Sequence, residues 1–144
     1  MANVIPDSFK TDLLKGTFNF DSSGGSTFKL ALYTDISGLT TSTAAFTATN
    51  EVGTSCTNYS SGGNALTNNG VSISSNIAFV DFADLTFSSV TLSAVGALIY
   101  KSGGSNEAVL VLDFGGTKTA TNGDFVVQFP TASSSAAIIR LGNA

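Results

Sequence analysis

The sequence predicts an all-β fold, an antiparallel β-sandwich of jelly-roll or Greek-key type with one short N-terminal helix, and three observations lead there. Short apolar runs of strand length recur between segments rich in turn residues. Ser, Thr, Gly and Asn supply nearly half of the chain, enough to punctuate many short strands. Charged residues make up 11% against 42% hydrophobic, where soluble domains carry about 25% charged residues, and that balance is the reverse of intrinsic disorder. At 144 residues the chain fits one domain with a sizeable core. Residues 1–16 read as an N-terminal arm and short helix, and residues 17–144 as a single sandwich domain.

The helix is expected within residues 5–16, IPDSFKTDLLKG. Pro6 suits a first turn, Asp7 or Ser8 is expected to cap or favour the N-terminus, and Gly16 closes the C-terminus. Phe9 and Leu13 stand four apart and share a face with Leu14 beside them. A helix this short needs a surface to dock on.

Beyond Gly16 the period changes to that of strands. Residues 26–33 alternate Phe28, Leu30 and Leu32 against Lys29, Ala31 and Tyr33. Residues 34–76 form a long Ser/Thr/Asn/Gly-rich excursion with weak strands expected near 41–49 and 64–74. Residues 77–87 read as a strand with a bulge or bend near Asp81–Asp84. Residues 94–114 read as a hairpin turning at Ser102–Asn106 around Gly103-Gly104. Both of its strands are apolar on both faces, Leu98 against Ile99 and Leu110 against Val111. That pattern fits strands covered by a second layer, and equally by another subunit or segment. Asn122-Gly123 signals a second turn, leading into a strand at 124–130 that Pro130 stops. A last strand is expected at 136–141. The Gly-Gly pairs at 24–25, 62–63, 103–104 and 115–116 read as loop punctuation and keep no constant period.

The residue inventory bounds the chemistry. There is no histidine, no tryptophan and one cysteine, Cys56. A nucleophilic triad needs a base, usually His, and soft metal sites want Cys and His clusters. Asp81 with Asp84, and Asp113 with Asp124, are the carboxylates that a Ca²⁺ site or a glycosidase would use. Asp at strand ends beside Gly or Asn is also ordinary turn chemistry, and no EF-hand spacing is present. The expectation is no catalytic residue, no metal and no cofactor. A net charge of −4 with six scattered basic residues gives no footprint for nucleic acid. No apolar run approaches the ~18 residues of a membrane span, and MANVIPDSF lacks the pattern of a secretory signal, so synthesis in the cytoplasm is expected. Asn58-Tyr59-Ser60 is a formal glycosylation sequon. Tyr33, Tyr59 and Tyr100 are rings of the kind that stack on sugars, with core or rim positions as the competing reading.

Four stretches, PDSFKTDLLKGTFNF at 6–20, FKLALYT at 28–34, GALIYKS at 96–102 and VLDFGGTKTATNGDFVVQFP at 111–130, resemble a group of small structural proteins of tailed bacteriophages. The resemblance covers about half of the chain in separate blocks. It implies a non-enzymatic virion protein on the capsid surface, made in the host cytoplasm. In particular it implies a capsid decoration (cement) protein that binds the major capsid protein and stabilises the head as a homo-oligomer, a trimer favoured. The alternative is a tail, neck or fibre-associated β module for host-surface or carbohydrate binding. Under the first reading Ile5, Phe9, Leu13 and Leu14 are expected to bind the capsid. Leu98, Ile99, Leu110 and Val111 are expected to form the subunit interface. For the anchoring and interface residues, the interior of the domain itself is the competing reading.

Overall fold

The computed structural model describes residues 3–53 and 55–143. Helix α1 spans Asp7–Leu14, followed by β1 (Phe28–Tyr33), β2 (Asn64–Ala65), β3 (Asn68–Ser74), β4 (Ile77–Phe82), β5 (Leu85–Lys101), β6 (Ala108–Val127) and β7 (Ile139–Leu141). The strands form two antiparallel sheets, ordered β2-β1-β5-β6 and β3-β4-β7. The fold is all-β and sandwich-like with one short helix, as the sequence predicts.

The helix is delimited by backbone geometry more than by a side-chain cap. Pro6 is the extended N-cap residue and no side chain caps the N-terminus. Ser8 Oγ instead donates to Thr43 O at 3.3 Å. At the other end Gly16 takes φ +79°. Its N–H bonds Leu13 O at 3.2 Å, and Thr17 N–H bonds Asp12 O at 3.0 Å. This is the Schellman pair that a left-handed glycine permits.

One main core joins the sheets. Phe9 of the helix, Phe18 and Phe20 of the following segment, Phe28 and Leu30 of β1, and Val80 and Phe82 of β4 all lie in it. The rings of Phe20 and Phe28 stack at 4.6 Å and 4°, with Phe82 edge-on to Phe28 at 5.7 Å. A smaller core lies on the opposite face of the first sheet, where Tyr33, Leu98, Tyr100 and Val111 are met by Ile36, Leu39 and Phe46. The Ser/Thr/Asn-rich excursion after β1 is thus the chain's own second cover for its central strands.

That cover decides the fate of the predicted subunit interface. Leu98, Ile99 and Val111 have no exposed surface and Leu110 only 2%. Leu98 pairs with Val111 and Ile99 with Leu110 across the ladder. The first pair faces the smaller core and the second the main core. These four residues are interior to the domain and present nothing to a neighbouring subunit.

Other elements differ from the sequence-based expectation for local physical reasons. The weak strand expected near 41–49 does not form beyond a single bridge, Ala45 to Glu107. Hydroxyls there satisfy nearby backbone N–H groups: Thr43 Oγ1 accepts from Thr40 at 2.8 Å, and Thr47 Oγ1 from Thr49 at 3.2 Å. Such local bonds compete with a ladder. The strand expected at 77–87 is two strands, broken at Ala83-Asp84. The hairpin extends far beyond 94–114, and Gly115-Gly116 and Asn122-Gly123 lie inside β6 rather than in turns. Between the pairs Ala94↔Lys118 and Gly96↔Asp113, one residue of β5 faces four of β6. Gly115 (φ +74°) and Gly116 (φ +147°) absorb that bulge. Ser89 (φ +53°) and Asn122 (φ +47°) sit at two smaller register shifts. The left-handed residues bend the ribbon without ending it.

Candidate functional site

Two features stand out as places where chemistry or contact concentrates: a carboxylate network under the excursion and an apolar groove beside the helix. The network centres on Glu51, the one carboxylate between Asp35 and Asp81. Its Oε1 accepts from the Tyr59 hydroxyl at 2.8 Å and from Gly62 N–H at 2.6 Å, and its Oε2 accepts from Ser61 Oγ at 2.8 Å. The Tyr59 oxygen in turn accepts Leu32 N–H of β1 at 2.9 Å. Tyr100 donates to Gly62 O at 2.7 Å, and Tyr33 donates to Thr47 O at 2.6 Å. All three tyrosines of the chain therefore fasten the excursion to the central sheet. Glu51 was not distinguishable by motif, and its isolation in an uncharged stretch is the only sequence signal for it.

The three rings are buried, at 0%, 4% and 4% exposed for Tyr33, Tyr59 and Tyr100, so none offers a face for stacking on a sugar. Burial pushes each hydroxyl above the ordinary tyrosine range, and the Glu51 carboxylate adds to the shift. The sign follows from linkage. A tyrosine held neutral in the fold contributes stability that is fully present below its unfolded value of about 10 and is lost as pH rises beyond it. Alkaline titration is expected to unfold the domain cooperatively above about pH 10. Tyrosinate absorbance should then rise together with loss of β-sheet circular dichroism. Tyrosinate absorbance developing near pH 10 in a chain that stays folded would show that the three hydroxyls are not held this way.

The carboxylates considered for a metal or glycosidase site are engaged elsewhere. Asp81 Oδ2 accepts from Asn69 Nδ2 at 2.8 Å, and Asp84 Oδ1 from Phe129 N–H at 2.8 Å. Asp113 Oδ1 accepts from Gly115 N–H at 2.8 Å, and Asp124 Oδ1 from Ser89 N–H at 3.1 Å. The last two pin the bulges of the long ribbon. The Gly115 N–H also draws the Asp113 carboxyl below its ordinary range. Among the described residues no group of three His, Cys, Asp or Glu side chains is placed to hold a metal ion, and no helix is long and apolar enough to cross a membrane.

The groove is built from α1 and the second sheet. Register places Val71, Val80 and Ile139 in one cross-strand row and Ile73, Ala78 and Leu141 in the next. Paired residues of an antiparallel ladder share a face, so these six form one apolar face. Its inner end enters the main core through Val80 and Ile139. Its outer end is open: Val71 is 52%, Leu141 61% and Ile73 75% exposed. Leu13 and Phe20 close the opposite side of a groove of about 130 Å³ with almost no polar lining. Leu14, next in the chain, is 86% exposed.

The four anchoring candidates therefore separate. Phe9 is 2% exposed and packs on Phe18 at 5.0 Å, so it belongs to the core and cannot reach a capsid. Leu13 lines the groove, whereas Leu14 is exposed but is not part of its lining. Ile5 is partly exposed and lies in a different hollow with Ile77 and Arg140. The sequence reading missed Val71, Ile73 and Leu141, because a period-two strand does not announce that its inward face overhangs the core. No family model, curated protein or solved structure matches the chain.

Proposed function

We propose that this chain is a non-enzymatic structural subunit of a tailed-bacteriophage particle. In this reading it is a capsid decoration protein that seats the apolar groove between α1 and the second sheet on the major capsid protein. The observation that carries the reading is the exposure of Val71 and Leu141 on the wall of one uncharged groove, an apolar face that Ile73 extends along the same cross-strand row as Leu141. Contiguous apolar surface of this kind marks interaction sites. The resemblance of four sequence blocks to phage structural proteins supplies the particle. Leu13 takes the anchoring role from the helix side of the groove, joined by the strand residues that line it, with exposed Leu14 next to it in the chain.

Quantitative mass spectrometry of particles produced from the encoding genome tests this. The expected ratio to the major capsid protein is near one to one, or another large fraction. A handful of copies per particle would transfer the protein to the tail or neck, and absence from the particle would overturn the reading. Leu14→Asp should lower occupancy by about tenfold or more with little change in melting temperature. Deleting residues 1–16 is the poorer test, because it removes Phe9 from the core.

A further inference from the structure

We infer that the free edge of β3 pairs with β3 of a second copy of this chain, antiparallel and about a two-fold axis at Ser72. The strand lies at the edge of its sheet. Its beginning is covered: Asn68 Nδ2 donates to Phe20 O at 2.9 Å, and Ser22 lies against Gly70. From Val71 to Ser74 every residue is exposed. Proteins usually protect such an edge with a charge, a proline, a bulge or a covering segment. Val71–Ser74 has no charge and no proline, and the one bulge of β3 lies before Val71.

The register identifies the occupant. With Ser72 opposite Ser72 of the second copy, Val71 stands opposite Ile73 of that copy, and Ile73 opposite its Val71. Both pairs fall on the same face as the groove, forming two apolar cross-strand contacts of the kind that stabilise sheets. Moving the axis one position along the strand leaves only one apolar pair opposed. Charge favours the same partner. The chain carries −4 overall, yet the residues from Asn68 to Ser74 are neutral, so two copies meet here without like-charge contact. A charged strand from another protein would find no counter-charge. A two-fold contact is isologous, the commonest form of homo-oligomer, and it gives a dimer in place of the trimer that the resemblance favours. The contact is short against the roughly 800 Å² per partner of a stable complex, so the dimer is weak alone and strengthens where copies are held side by side. The paired sheets carry their two grooves on one common face.

This inference deepens the oligomer part of the reading above, and it is measured in solution without any particle, so the two fail separately. Directly opposite strand residues have Cα atoms about 4.5–5.5 Å apart, inside the range a disulfide spans. The full chain carrying Cys56→Ser and Ser72→Cys is expected to cross-link to a dimer under mild oxidation. The rate should be about tenfold or more above that of a Cys56→Ser, Ser88→Cys control, whose cysteine is exposed on the other sheet. Sedimentation of the unmodified chain should show a concentration-dependent dimer that Ile73→Lys abolishes without lowering the melting temperature. Equal cross-linking of the two cysteine variants, or a dimer that survives Ile73→Lys, would overturn the inference.

Discussion

Phe28→Ala is expected to cost about 3–5 kcal/mol, a large share of the roughly 5–15 kcal/mol that holds a domain folded. Phe28 is 1% exposed. Its ring touches three others, stacked on Phe20, edge-on to Phe82 and 6.4 Å from Phe18. Phe20 and Phe18 belong to the segment after the helix, and Phe82 to the second sheet, so the ring is where helix segment, first sheet and second sheet meet. Removing it leaves a cavity whose walls belong to three separate elements and cannot collapse together. Urea denaturation reads the loss as a lower midpoint at similar slope. A cost under about 1 kcal/mol, in the range of ordinary surface changes, would mean that the aromatic stack does not join the sheets.

The second large effect is expected at Gly63, through backbone geometry instead of packing. Gly63 has φ +71°. A Cβ there would collide with the carbonyl of Leu30 and lie 2.7 Å from Ala31 Cα, both in β1. Left-handed backbone alone costs an L-residue about 1–2 kcal/mol. The collision adds to that by driving residues 62–65 away from the strand they pair with, and it loosens Gly62, which holds both Glu51 and Tyr100. Gly103→Ala is the natural comparison, since Gly103 also has positive φ (+98°) but nothing within 4 Å of its would-be Cβ. Gly63→Ala should destabilise clearly more than Gly103→Ala in the same denaturation series. Equal losses would mean that the close approach to β1 contributes nothing.

What the sequence made legible was the part controlled by local pattern. Alternation in Phe28–Tyr33 and the apolar runs around Ser102–Asn106 located the central strands, and Gly16 located the helix end. Glycine and asparagine at 115–116 and 122–123 signal turns, yet the same φ preference serves a bulge as well as a turn. Only the partner strand decides between them, and it is distant in sequence. The two-faced apolar strands signal cover on both faces, but their pattern does not tell a neighbouring subunit from the chain's own segment, and it is the chain itself that covers them. What covers the second face was hidden, because Ile36, Leu39 and Phe46 are spaced irregularly in a segment dominated by Ser and Thr. The groove was half legible: Leu13 and Leu14 follow from helical spacing, whereas the exposure of Val71, Ile73 and Leu141 depends on how far the second sheet overhangs the core. The Glu51 network is not legible in the sequence, since its members are scattered from Leu32 to Tyr100.

The pairing of β1 with β5 sets Phe28 against Lys101 and Tyr33 against Gly96. During synthesis the first strand of the central sheet leaves the ribosome long before its main partner exists. Every residue of β2, β3 and β4 is made in between, and the excursion that covers the outer face is made before there is a complete face to cover. The earlier part of the chain can pair β1 with β2 and β3 with β4, but the centre of the first sheet is absent until the long β5–β6 ribbon arrives. A chain truncated before that hairpin lacks the whole centre of the first sheet, two of its four strands.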